Sequence, residues 1–197
     1  MKCSIVLLVL SVCQAVVLAQ ADSPEATVRQ QFPSGGTVRL HLEAGGYEVI
    51  PCDSDSIVVT YQTRSPERLK GVKVTIKANQ ERADLYVANT PSNNFKATIE
   101  IPRQSNLWVR LTAGELNVGN IMGDKDLEIR AGRLQVDIPR PQEYGHRDAS
   151  VTTGSIEARA FEVSTGGLFR SFHQQGPGRY RLHAHVMAGE IDLRDMI

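Results

Sequence analysis

His183 and His185 stand two residues apart in Tyr180-Arg181-Leu182-His183-Ala184-His185-Val186, where apolar residues alternate with them. In an extended chain that spacing puts both imidazoles on one face, from which a zinc-type metal site can start. No third ligand is identifiable near them, so no metal is expected. The same region gathers Phe169, Arg170, Phe172, His173, Arg179 and Arg181 around the turn Gly176-Pro177-Gly178. Aromatic and basic side chains together can grip a glycan or an anionic polymer through stacking and charge. The plainer reading is a solvated rim around a core Tyr180, because the local charge is modest.

Carboxylates are the other reactive groups. Paired acids could serve glycoside hydrolysis. Glu115 and Glu190 follow glycines in a recurring unit, however, and their repetition fits a solubilising role better than a unique site. Asp124 and Asp126 flank Lys125, and Asp53-Ser54-Asp55 reads as a turn with side-chain to backbone hydrogen bonds. The sequence lacks a Gly-x-Ser-x-Gly elbow, a phosphate-binding glycine loop, a zinc-helix motif and a Cys pair. No catalytic residue and no cofactor is therefore assigned, and the chain is not expected to be an enzyme.

The elements that must position these residues are strands. Strict alternation of apolar and polar residues recurs at Val38-Leu40-Leu42, Val72-Val74-Ile76, Phe95-Ala97-Ile99-Ile101, Leu107-Val109-Leu111, Leu127-Ile129-Ala131, Leu134-Val136-Ile138 and Tyr180-Leu182-Ala184-Val186. Such strands have one dry face and one wet face. Glu25 to Gln31 is the only faint helix candidate. Turn residues are dense at Arg64 to Gly71, Asn89 to Asn94, Pro139 to Arg147 and Gln174 to Gly178, which read as loops.

A repeat organises the chain: a small residue, then Gly, with apolar residues at offsets −5, −3, +2 and +4 from the Gly. Its six centres are Gly45, Gly114, Gly132, Gly154, Gly166 and Gly189, and Arg170 alone breaks the apolar rule. Offsets −3 and +2 are five residues apart, so the period-two phase slips at every glycine. An unbroken strand would turn its second half outward. A bend or bulge at Gly keeps both arms facing one core, since a missing Cβ permits positive φ or close backbone approach. A two-residue hairpin would also restore the phase, but β-branched Thr153 and Thr165 fit its positive φ poorly. The expected fold is therefore all-β, a single domain of short strands stacked as a β-solenoid or β-roll with glycine corners.

Residues 1–21 read as an export signal, with Lys2 followed by the uncharged apolar run Ile5 to Leu18, too short to span a bilayer comfortably. Residues 22–197 form the domain. Removal of the signal takes away Cys3 and Cys13 and leaves Cys52 alone, so packing rather than a disulfide must hold the fold. A lipid anchor at Cys13 fits less well than soluble export, because Val12 stands where a small residue is wanted. The mature chain carries 21 basic against 22 acidic side chains, well interspersed. Nucleic acid is not an expected partner, nor is an integral membrane segment expected after Leu18.

These units resemble a widespread bacterial family of candidate adhesin domains of unknown function. The resemblance runs from Phe32-Pro33-Ser34-Gly35-Gly36 through Ala44-Gly45-Gly46-Tyr47 and Ile99-Glu100-Ile101-Pro102, then Ala113-Gly114-Glu115-Leu116 to Ala188-Gly189-Glu190-Ile191. It departs at Gly166-Gly167-Leu168-Phe169-Arg170, where the unit is degraded. It implies a right-handed β-solenoid or β-roll in the periplasm, at the cell surface or secreted, with an adhesive role and no enzyme activity. The leading expectation is an exported binding scaffold for another macromolecule, an envelope glycan or protein. A carbohydrate-active enzyme on the same scaffold and a self-assembling envelope module are the alternatives.

Overall fold

The computed structural model describes residues 25–91 and 93–195, so the expected export signal over 1–21 lies outside them. Twelve strands join one sheet. They are β1 (Glu25–Gln31), β2 (Thr37–Leu42), β3 (Gly45–Cys52), β4 (Ser56–Gln62), β5 (Lys73–Ala78), β6 (Arg82–Ala88), β7 (Lys96–Pro102), β8 (Asn106–Val118), β9 (Lys125–Asp137), β10 (Tyr144–Ala158), β11 (Val163–Gln175) and β12 (Tyr180–Arg194). Among the described residues one short α-helix, α1 (Pro66–Gly71), interrupts the stretch read as a loop, with Pro66 in the first turn where its missing N–H costs nothing, and two 3-10 turns lie at Pro141–Glu143 and Arg159–Phe161. Glu25 to Gln31, the faint helix candidate, is instead strand β1, antiparallel to β4. A single isolated turn of helix nucleates poorly, whereas pairing with β4 satisfies its backbone and lets Ala26 and Val28 pack against the core.

The repeat acts as a bend, not as a hairpin. β8, β9, β12 and β10 each run as one strand through their glycine, and parallel pairing continues on both sides of it. Before the bend β8 pairs with β2, and after it with β3, so the Gly45 unit splits across two strands. Inward residues of both arms, such as Val109, Leu111, Leu116 and Val118, are buried in one shared apolar cluster. Each contributes about 1.5–3 kcal/mol of burial before ordering entropy is subtracted.

Glycines stack directly across the sheet in the order Gly45, Gly114, Gly132, Gly189, Gly154, Gly167. At Gly132 φ is +137°, and a Cβ there would lie 1.8 Å from the carbonyl oxygen of Gly114. Both a left-handed backbone and a neighbouring carbonyl in the Cβ space therefore demand glycine.

Two expectations change. Gly167, with φ +121°, takes the ladder position expected of Gly166, which faces Ser155 instead. The cause is direction: β11 is antiparallel to β10, so the unit must be read backwards from Gly167. Phe172, Arg170, Thr165 and Val163 then fall opposite the inward residues Ala149, Val151, Ile156 and Ala158. The strand order also departs from coil-by-coil stacking. β12 inserts between β9 and β10, and β1–β4, β4–β7, β5–β6 and β10–β11 are antiparallel, so the sheet is mixed.

Candidate functional site

Period two sends alternate side chains outward, and the cross-strand register, parallel from β8 to β10 and antiparallel to β11, aligns them into rows. One row reads Trp108, Asp126, His183, Asp148 and His173 on β8, β9, β12, β10 and β11. The next reads Arg110, Glu128, His185, Ser150 and Ser171. Aromatic, cationic, carboxylate and imidazole groups thus share one surface, although they come from strands far apart in the chain.

A groove of about 420 Å³ lies along the first row, lined by Trp108, Asp124, Asp126, His146, Asp148 and His183 among others. Trp108 forms one wall. The Arg110 guanidinium sits 4.0 Å from its ring centroid and that of Arg39 5.3 Å, while His41 tilts against Trp108 at 5.0 Å and stacks on Tyr86 at 4.4 Å. A cation over an indole contributes about 0.5–1 kcal/mol at such half-exposed positions. Arg110 also pairs with Asp126 Oδ1 at 2.8 Å and Glu128 Oε1 at 3.0 Å. Farther along, Asp148 stands between two imidazoles, 3.9 Å from His183 Nδ1 and 3.8 Å from His173 Nδ1. His146 meets His173 edge to face at 4.7 Å.

Beneath the groove floor lies Lys125, buried at the inward phase beside Leu107 and Leu182. Its Nζ is within hydrogen-bond reach of the Ile121 carbonyl at 2.6 Å, the Gly123 carbonyl at 3.4 Å and the Tyr144 hydroxyl. Burial lowers its pKa to about 7, against a smaller opposing pull from Asp124. The amine donates to all three, two carbonyl oxygens and the hydroxyl oxygen. Burial, joined by the Tyr180, Glu143 and Asp124 side chains, pushes the Tyr144 phenol well above its ordinary range, so it stays protonated.

The expected ligand face over Phe169 to His185 divides in two, because β10 lies between β11 and β12. His173 and His183 meet around Asp148, and Arg181 borders the groove, its backbone N–H donating to Asp124 Oδ1 at 2.9 Å. His185 lies 2.8 Å from Ser150 Oγ and lines a second groove with Arg110, Glu128 and Met187. Phe172 turns to the core side and packs near Phe161. Phe169 and Arg170 stay at the bend of edge strand β11, Phe169 79% exposed with φ +51° and Arg170 donating to the Gly166 carbonyl. Arg179 covers the Tyr180 ring at 4.5 Å.

Sequence reasoning missed Trp108, Arg110, Glu128, His146 and Asp148 as parts of one surface, since only cross-strand register unites them. Lys125 carried a readable signal: it falls in phase with Leu127 and Ile129. Glu190 pairs with Arg133 at 2.7 Å on the exposed face of the second arms. Asp53 pairs with Arg103 and Asp55 accepts from the Ser34 backbone N–H, which makes their turn structural. Cys52 is half-buried and free.

No protein-family model matches the chain, and no curated protein matches it. Among solved structures, it is similar to a candidate cell adhesion protein from Clostridium sporogenes, at 13% identity and a TM-score of 0.54, over 88% of this chain and 100% of that one. That likeness establishes a shared fold. Candidate adhesins from Parabacteroides distasonis (10% identity, 59% and 58% of the chains) and Bacteroides fragilis (11%, 86% and 97%) each reach a TM-score of only 0.28 and carry no further weight. Among the described residues, no helix is long and apolar enough to cross a membrane.

Proposed function

We propose that this chain is an exported, non-catalytic scaffold of the bacterial cell envelope that binds another macromolecule, a surface glycan or protein. Contact is made through the outward face of β8, β9, β12, β10 and β11. One observation carries the reading: a groove of about 420 Å³ with an indole wall and a row of carboxylates and imidazoles, set on strands β8, β9, β12 and β10 whose inward apolar residues are buried. Indole faces take the apolar face of a sugar ring, while carboxylates accept from its hydroxyls. The kinked strands, parallel from β8 through β9 and β12 to β10 and closed by antiparallel β11, support a rigid presentation of that face. The adhesion role proposed for the Clostridium sporogenes protein of the same fold supports a binding function.

Glycan-array binding of the purified chain tests it. Trp108→Ala is expected to weaken any captured ligand by at least about tenfold, or 1.4 kcal/mol. Cleavage of a captured polymer, or undiminished binding by the variant, overturns the proposal. Asp124, Asp126 and Asp148 in the groove favour the carbohydrate-active enzyme as the second reading. Against it, Asp126 is held by Arg110 and Asp124 by the Arg181 backbone N–H.

A further inference from the structure

We propose that Asp126, Glu128 and His183 form a binding site for a divalent first-row transition ion, with zinc the probe of choice. One donor atom from each residue falls within 4.8 Å of the other two. The arrangement follows from register: His183 on β12 stands opposite Asp126 on β9, and Glu128 is the next outward residue along β9. The partner that His183 lacked in its own sequence neighbourhood is thus supplied 57 positions earlier in the chain. Both strands are hydrogen-bonded into the middle of the sheet, so the Cβ positions of all three donors are held before any ion arrives.

Arg110 is the obvious competitor, because its guanidinium already pairs with both carboxylates. It engages Oδ1 of Asp126 and Oε1 of Glu128, and among the described residues no hydrogen bond reaches Oδ2 or Oε2. One guanidinium also balances only one of two carboxylate charges. The cluster therefore keeps net negative charge and two oxygen donors for a dication. Asp148 Oδ1, 3.9 Å from His183 Nδ1, lies beyond hydrogen-bond length but adds a further carboxylate charge beside the imidazole. The donor set determines the class of ion. Calcium and magnesium prefer all-oxygen shells, and strongly thiophilic ions prefer sulfur, whereas one imidazole with two carboxylates suits zinc and its first-row neighbours. The three side chains are 41–44% exposed, so water completes the shell and the ion exchanges freely with solution.

Isothermal titration of zinc chloride into the untagged chain tests the site, with circular dichroism confirming that each variant folds. One equivalent is expected to bind. His183→Ala and Asp126→Asn should each weaken it by about 10–100-fold or more. Arg110→Met should tighten it by removing the competing cation. His41→Ala, on the same face but two strands from β9, should leave it unchanged, and calcium chloride should give no saturable binding. Absence of saturable zinc binding overturns the proposal, as does binding by His183→Ala equal to that of the parent. Loss of binding in His173→Ala with none in Asp126→Asn would move the ion to the other end of the row and equally overturn it. Because the probe is the ion alone, failure here leaves the macromolecular binding reading to its own test.

Discussion

Lys125 occupies a slot whose cross-strand neighbours are Leu107 and Leu182, and burial of its amine lowers the pKa to about 7 from 10.5. Below pH 7 folded and unfolded chains both hold the proton, and the folded state bears the full cost of a buried charge. Between pH 7 and 10.5 the unfolded chain holds more protons, so stability rises with pH across that window. The thermal midpoint of the parent should therefore climb relative to that of Lys125→Met from pH 7 to pH 10. Parallel melting curves for the two proteins across that range would show that Lys125 is not buried as described. Outward residues behave differently. Arg110 contributes through a ring contact and two half-exposed ion pairs, so Arg110→Ala should cost only about 1 kcal/mol in denaturant unfolding.

An element of this sheet is a long strand bent once, and the bend depends on glycines touching across strands. At Gly132 a methyl group meets both a left-handed backbone and the Gly114 carbonyl, so Gly132→Ala should destabilise by about 3 kcal/mol or more. Gly166 lies one residue from the ladder and has no contact nearer than 3.6 Å for an added Cβ. Gly166→Ala should change stability by less than about 0.5 kcal/mol. Chemical denaturation of the two variants decides the register of β11: equal losses would return Gly166 to the ladder. The contrast separates a glycine required by its backbone from one that merely occupies the same sequence unit.

For the whole molecule, the position of β12 matters most. In a chain that climbs coil by coil, deleting the last coil shortens the stack and leaves the rest folded. Here the C-terminal strand lies between β9 and β10 and buries Leu182, Ala184, Val186, Ile191 and Leu193. Deletion from Tyr180 onward would open two strand edges in mid-sheet and remove side chains worth about 1.5–3 kcal/mol each for the larger ones. The shortened chain should lose cooperative thermal unfolding and become sensitive to limited proteolysis along its length. A protease-resistant core spanning β2 to β9 would instead identify an independently stable stack.

Much of this was legible in the residues. Alternation marked the strands, and the phase slip at Ala-Gly and at Thr153-Gly154 favoured a bend over a hairpin, because side-chain direction and glycine conformation are local properties; at Thr165-Gly166 the bend falls one residue later, at Gly167. The expected binding face was legible only in part: His183 and His185 were placed outward, but their neighbours were not, since those come from β9 and β10 through pairing. Whether β12 lies beside β9 or β11 beside β10 depends on which buried edges fit, a competition among distant segments that no local pattern encodes. The sequence by itself determined what β8, β9, β10 and β12 turn inward and where they must kink, while for β11 it placed the kink one residue early. Only the tertiary structure decided which strands lie side by side, and hence that Trp108, Asp126, His183 and Asp148 meet along one groove.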